Sequence, residues 1–155
     1  MILSEGILSF SLPIVTKKQE FQSSWKKTAI ILLKDDTEEY YSWFLNKRFN
    51  LKLNKTLRGS HVTIINDKIF DYDKYNEILK LYEGKIIKFE FDLNCKSDGK
   101  HWWMNVSCLE ALTIRKECGL DEKPYFGFHL TIGHANEKNI EHSNYILKTC
   151  IRFNF

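Results

Sequence analysis

His61-Val62-Thr63-Ile64 and His129-Leu130-Thr131-Ile132 share one pattern, in which a histidine, an apolar residue, a threonine and an apolar residue follow one another. Successive side chains of a β-strand point to opposite faces. In each copy we therefore expect the histidine and threonine on one face of a strand and the two aliphatic residues on the other. Two such copies are expected by chance in roughly one sequence in a thousand of this composition. The pattern predicts two imidazoles and two hydroxyls presented by two strands.

The residues around the two copies have the patterns of alternating short strands and helices. The predicted strands are Gly6–Leu12, Lys27–Leu33, His61–Ile65, Ile86–Leu93, His101–Cys108 and Tyr125–Gly133, and the predicted helices run from Asp36 or Thr37 to about Arg48, over Tyr72–Tyr82 and over Leu109–Cys118. Ser97-Asp98-Gly99 is a predicted hairpin turn, and the tail is predicted as a short helix or loop followed by a strand near Leu147–Phe155. Strand, helix and His-x-Thr strand recur in about the same order in both halves. This order predicts an α+β fold of two like halves, with the two copies side by side across a pseudo-twofold axis.

Size and composition are those of one globular domain. The chain has 155 residues, 43% of them hydrophobic, and a net charge of +3. This charge permits an anionic ligand but is too small for a protein that coats nucleic acid. The apolar stretch Ile7–Val15 is too short to span a bilayer and has no basic segment before it, so we expect no membrane association. Four cysteines without a C-x-x-C pair favour a reducing, cytoplasmic setting, with Cys108 as a buried thiol.

The paired tetrapeptides resemble the signature of the 2H phosphoesterase superfamily, which has two His-x-Thr/Ser-x motifs on strands of two similar lobes. The likeness in strand and helix order extends over about Lys27–Phe155, and the first twenty-odd residues have no counterpart. The resemblance implies a single domain, residues 1–155, with two pseudo-symmetric lobes. Its implied fold is the two-lobed 2H (LigT-like) fold, with antiparallel sheets and a central cleft. It also implies metal-independent cleavage or formation of phosphodiesters, often at 2′,3′-cyclic phosphates or 2′–5′ linkages.

The residues of the two motifs suit that chemistry. Histidine serves as general acid or base near neutral pH because its unperturbed pKa is about 6.5. We expect His61 and His129 to be the acid–base pair, in an order that the sequence leaves open, while Thr63 and Thr131 donate hydrogen bonds to the phosphate's non-bridging oxygens. Two imidazoles supply both proton transfers, so no metal or other cofactor is predicted.

Substrate-binding residues are predicted from their position relative to the motifs. Trp103 and Asn105 lie on the polar face of their predicted strand, Tyr125 has the strand parity of His129, and Arg58 precedes His61 by three residues. An aromatic side chain can stack on a nucleobase. The alternatives are that Trp103 is a partly exposed packing residue and that Arg58, with Lys47 and Arg48, belongs to a solvated basic face.

Together with this resemblance, the sequence is interpreted as that of a monomeric phosphodiesterase without an obligate protein partner. The resemblance implies that its substrate is a cyclic or 2′–5′-linked nucleotide or oligonucleotide. Viral members of the superfamily similar in size attack such second messengers of host immunity. The Lys-, Ile- and Asn-rich composition suits a phage or another AT-rich genome, and a viral protein of this kind would act in the host cytoplasm. Processing of 2′,3′-cyclic RNA ends, RNA ligation or repair, and a nucleotide- or RNA-binding module without turnover stay open as alternatives.

Two further patterns are explained without a second site. Lys96-Ser97-Asp98-Gly99 matches the K-x-D-G of nucleotidyl-transferring ligases, but this chain is too short for such a domain and a hairpin turn accounts for the residues. His101, His134 and His142 lack metal-ligand spacing with the cysteines. We expect His134 in a surface loop just beyond its strand.

Overall fold

The computed structural model describes residues 1–10, 28–67 and 71–149. Within these ranges the fold is α+β, as predicted, with seven strands and four helices. The strands are β1 (Ile2–Ser9), β2 (Ala29–Leu33), β3 (Leu53–Asn54), β4 (His61–Ile65), β5 (Ile86–Ser97), β6 (His101–Ser107) and β7 (His129–Ala135). The helices are α1 (Thr37–Phe49), α2 (Tyr72–Tyr82), α3 (Leu109–Glu117) and α4 (Ile140–Thr149).

All strand pairs are antiparallel and belong to one sheet, in the order β3-β7-β4-β2-β1-β5-β6. Strand β6 also pairs with β7, so six strands close into a barrel and the short β3 lies beside one end of β7. The strands that carry the two tetrapeptides, β4 and β7, are therefore neighbours. They pair with Val62 opposite Leu130.

The two halves of the chain repeat one arrangement of elements. The first half runs β1, β2, α1, β4 and the second runs β5, β6, α3, β7, with the two-residue β3 inserted before β4. In each half the first strand pairs with the second, and the second pairs with the last. The described strands of both halves belong to one closed sheet, and a division into two lobes around a cleft stays a prediction.

The aliphatic residues of both motifs lie in the core. Four aliphatic side chains of the motifs are fully buried: Val62 and Ile64 of β4 and Leu130 and Ile132 of β7. They belong to one hydrophobic cluster with Leu45 of α1 and with residues of α3. Burial of one such side chain contributes about 1.5–3 kcal/mol to folding. A shift of either strand by one residue would expose its aliphatic pair and bury its histidine, so hydrophobic burial selects the face on which the histidines lie.

Arg115 of α3 joins the second half of the chain to the strand that carries His61. Its guanidinium is buried and donates hydrogen bonds to the Ile64 carbonyl at 2.7 Å, to the Asp67 carboxylate at 2.6 and 3.2 Å and to the Asp121 carbonyl at 2.8 Å. These hydrogen bonds hold the pKa of the Asp67 carboxyl below its usual value. The end of β4 is thus held by a charge-assisted, bidentate contact from the other half.

Several predicted elements need correction. Strand β7 begins at His129 instead of Tyr125, because the Gly127 amide donates to the Pro124 carbonyl at 2.8 Å and the chain turns there. Strand β1 begins four residues before the predicted strand and ends at Ser9, so the prediction is wrong for Phe10, while residues 11 and 12 lie outside the described ranges. Helix α4 extends to Thr149, so the predicted final strand is wrong for residues 147–149, and its remainder lies outside the described ranges.

The connection between β5 and β6 confirms the prediction that the K-x-D-G sequence forms a hairpin turn. Asp98 accepts hydrogen bonds from the backbone amides of Lys100 and His101, at 2.9 and 2.6 Å, and Ser97 accepts one from the Gly99 amide. These contacts are those of a tight hairpin turn. Cys108 is buried, as predicted, and its sulfur accepts a hydrogen bond from the Ala111 amide at the start of α3.

Candidate active site

The register of β4 and β7 brings the four predicted catalytic residues together. Because Val62 lies opposite Leu130 in an antiparallel pair, His61 lies opposite Thr131 and Thr63 lies opposite His129. These four side chains share the surface that we call the histidine face. The two histidines are diagonal neighbours, a relation that places their Cβ atoms about 7 Å apart. The arrangement is locally twofold, since each imidazole has the other motif's threonine across from it.

Both imidazoles are oriented by the same backbone contact. His61 Nδ1 donates a hydrogen bond to the Gly59 carbonyl at 2.8 Å, and His129 Nδ1 donates one to the Gly127 carbonyl at 3.1 Å. A carbonyl oxygen only accepts, so Nδ1 carries a proton in each ring. In the neutral form of either ring, the lone pair is therefore on Nε2.

Two glycines that the His-x-Thr pattern does not include orient the histidines. Gly59 and Gly127 have φ angles of 71° and 68°, in the left-handed region that favours glycine. A glycine stands two residues before each histidine, so the repeated sequence is Gly-x-His-x-Thr. The five-residue repeat was available in the sequence, and its physical meaning is the turn that brings a carbonyl to Nδ1.

A buried carboxylate lies behind the His61 motif. Glu38, in the first turn of α1, is 3% exposed and accepts hydrogen bonds from the Thr56 amide at 2.6 Å and from the Thr56 hydroxyl at 2.8 Å. The same hydroxyl lies 2.8 Å from the Gly59 carbonyl, the group that accepts from His61. The Ser60 hydroxyl in turn accepts from the Glu38 amide at 2.8 Å. Glu38 therefore holds the loop that orients His61.

The surroundings of His61 favour its neutral form. Burial lowers the pKa of this imidazole, and the positive charges of Arg58 and of protonated His129 act in the same direction. The bond to the Gly59 carbonyl and the negative charge of Glu38 oppose the shift without cancelling it. Arg58, one of the predicted substrate-binding residues, is close enough to act on His61, and burial lowers its own pKa as well.

The two predicted residues of β6 lie on the histidine face. Asn105 is opposite His129 and Trp103 is opposite Thr131 in the β6–β7 pairing. The Trp103 indole lies edge-on to the His129 imidazole, with 6.5 Å between ring centroids. On the other flank, Leu32 of β2 is opposite His61. The motifs thus have an apolar neighbour on one side and an indole and an amide on the other.

The structure does not place Tyr125 on that face. Its side chain is 94% exposed in the turn before β7 and contacts the Phe126 ring edge-on at 4.9 Å. The predicted strand parity with His129 is wrong, because β7 begins only at the histidine. Lys47 and Arg48 are in the last turn of α1, about 14 Å along the helix axis from Glu38.

The remaining histidines lie outside the paired motifs. His134 is part of β7, opposite His101 and Asn54, so its prediction as a surface-loop residue is wrong. In residues 1–10, 28–67 and 71–149, no group of three or more His, Cys, Asp or Glu side chains could hold a metal ion. No helix of these ranges is long and apolar enough to cross a membrane.

Comparison with known proteins gives no match: no family model fits the chain, and no curated protein or solved structure is similar to it. The chemical interpretation of the histidine face therefore rests on its residues and their geometry.

Proposed function

We propose that this protein is a 2H-type phosphodiesterase that cleaves a cyclic or 2′–5′-linked nucleotide or oligonucleotide without a metal. One observation carries the proposal. Two imidazoles, each held at Nδ1 by a glycine carbonyl, are diagonal neighbours on adjacent antiparallel strands. A phosphate bound between them has an acid–base group on either side and a threonine beside each group.

The lowered pKa of His61 assigns the two roles. His61 Nε2 accepts the proton of the attacking hydroxyl, from water or from the ribose, as the new P–O bond forms. Protonated His129 then donates its Nε2 proton to the leaving oxygen as the old P–O bond breaks. Thr63 and Thr131 donate hydrogen bonds to the non-bridging oxygens, on which negative charge is concentrated in the transition state.

The test is a panel of cyclic di- and trinucleotides, 2′–5′ oligoadenylate and 2′,3′-cyclic nucleotides, incubated with the protein in EDTA and resolved by chromatography. We expect EDTA-resistant cleavage of at least one of them by the wild type. A preparation of the His61→Ala, His129→Ala double variant, purified identically, is the control for contaminating nucleases. Ligand that binds but is recovered unchanged after long incubation would show a binding module and contradict the proposal.

A further inference from the structure

We infer that a groove beside the His129 motif binds a second phosphate group of the substrate, with Lys96 and Lys123 as its ligands. The inference rests on the proposed function and extends it, because it makes the substrate an oligonucleotide with at least two phosphates. The groove, which we call the lysine groove, has a volume of about 970 Å³. Asn105 and Gly127 of the candidate active site are part of its wall, which continues to Lys88, Lys96 and Lys123.

Strand register connects the groove to the catalytic residues. Thr131 lies opposite Trp103, and Trp103 lies opposite Lys96. Residues directly opposite one another in a sheet share a face, so these three form one row across β7, β6 and β5. Two strand spacings separate the backbones of Lys96 and Thr131 by about 10 Å. A phosphate at the two histidines and a second one at Lys96 therefore leave room for one nucleoside between them, over the Trp103 indole.

The charges of the groove suit an anion. Three lysines and two carboxylates, Glu90 and Glu110, line it. Among the described residues, none of these lysines has a carboxylate within the 4.0 Å of an ion pair. The exposed ring of Phe126 borders the same space and adds an apolar surface.

The cavity on the opposite flank has the reverse balance. It has a volume of about 370 Å³ at the start of α1, and its wall contains three basic and four acidic side chains: Lys34, Lys55, Arg58, Asp35, Asp36, Glu38 and Glu39. Lys55 is already paired with Glu39 at 2.6 Å. An oligonucleotide whose first phosphate lies at the histidines thus meets a net positive charge toward β5 and a net negative charge toward α1. The substrate is therefore directed across β6.

The volume of the lysine groove favours a substrate larger than one nucleotide. Ligand pockets of proteins have volumes of about 300–1,000 Å³. The lysine groove alone is at the upper end of this range, and the histidine face lies beside it. A mononucleotide with one cyclic phosphate at the histidines would leave the groove unfilled.

The test compares a substrate with one phosphate, 2′,3′-cyclic AMP, and two with more than one, cyclic diadenylate and 2′–5′ triadenylate. The variants are Lys96→Ala, Lys123→Ala and both together, with Lys80→Ala on the exposed side of α2 as the matched control. A hydrogen bond from a charged group contributes about a tenfold change in affinity or more. We expect the double variant to lose about 10- to 100-fold in kcat/KM for substrates with several phosphates, and less than threefold for 2′,3′-cyclic AMP. If the wild type cleaves both kinds of substrate and the double variant changes kcat/KM by the same factor on both, the second-phosphate site is refuted. The proposed function would still stand.

A binding arm keeps the inference testable if the wild type cleaves nothing. Equilibrium binding of the same three ligands is measured with the His61→Ala, His129→Ala variant, with and without the two lysine substitutions. We expect the lysine substitutions to weaken only the ligands with several phosphates. They should also lower the slope of log affinity against log salt concentration by about one per lysine. Unchanged affinity and unchanged salt slope would refute the site whatever the outcome for catalysis.

Discussion

The His61 and His129 motifs have the same local geometry and different surroundings. In both, a left-handed glycine supplies the carbonyl that accepts from Nδ1. Behind His61 is a hydrogen-bond network of the buried Glu38 and the partly buried Thr56. Beside His129 are an indole, an amide and the wide lysine groove. The comparison teaches that two copies of one local motif can acquire different surroundings, since one copy packs against a buried carboxylate and the other borders an open groove.

Removal of either imidazole is the strongest test of their equivalence in catalysis. We expect His61→Ala and His129→Ala each to lower kcat/KM by about 10²- to 10⁴-fold, the contribution of a positioned acid or base. Because the two groups act in one step, the double variant should be little worse than either single variant. The measurement is initial rate on the substrate that the wild type cleaves. His142→Gln, on α4, should stay close to wild type, and near-wild-type rates in one of the two alanine variants would remove that histidine from the mechanism.

Loss of the Arg115–Asp67 contact, which joins the two halves of the chain, should lower stability more than catalytic activity. Arg115→Met leaves the Ile64 carbonyl and the Asp67 carboxylate without their buried donor. We expect a loss of about 3 kcal/mol in the free energy of unfolding, at the low end for a broken buried pair because Asp67 is one-third exposed. Urea unfolding measures it, and Arg48→Met, on the exposed side of α1, should change stability by less than about 0.5 kcal/mol. Equal stability of the two variants would mean that the contact does not hold β4.

The smallest expected effect is a shift in the pH dependence of kcat/KM, caused by a change in the pKa of His61. Glu38 raises the pKa of His61, so Glu38→Gln should lower this pKa further and move the acid limb of kcat/KM to lower pH. In the wild type this limb should already lie below pH 6.5, because burial lowers the pKa of the proposed base. The glutamine oxygen can still accept from the Thr56 amide, which preserves the fold.

Glu39→Gln is the matched control for that experiment. Glu39 is the next residue of the same helix, and its carboxylate pairs with Lys55 on the surface. We expect no movement of the acid limb in this variant. If Glu38→Gln and Glu39→Gln give the same pH profile, Glu38 does not act on His61.

The protonation of His61 should also make the free energy of unfolding depend on pH. The unfolded chain protonates His61 near pH 6.5, while the folded protein resists protonation until its lowered pKa is reached. The contribution of His61 to stability is therefore fully present above pH 6.5 and is lost as the pH falls through the pKa of His61 in the folded protein. In His61→Asn, this part of the pH dependence of unfolding should disappear.

Local pattern was sufficient where a period or a turn decides the structure. The ends of β4 and α2 were predicted without error, and the hairpin turn at Ser97-Asp98-Gly99 was correct. Local pattern gave a wrong strand start at Tyr125, because the alternation in the sequence continues through a turn. The Gly127 conformation and the Pro124 carbonyl set that turn. Glu38 and Lys96 were not recognised as parts of the site, because their relation to the motifs depends on contacts with residues distant in sequence.

Alternation alone determined that each histidine shares a face with its threonine, since a strand has a period of two and the aliphatic residues prefer the core. The repeated order of elements predicted the two motifs side by side. Only the tertiary structure decided that β4 pairs directly with β7, that Val62 lies opposite Leu130, and that the two motifs meet different groups on their outer flanks. The physical reason is the range of the interactions. Alternation is set by adjacent residues, whereas pairing and register depend on contacts that form only when segments distant in sequence fold together.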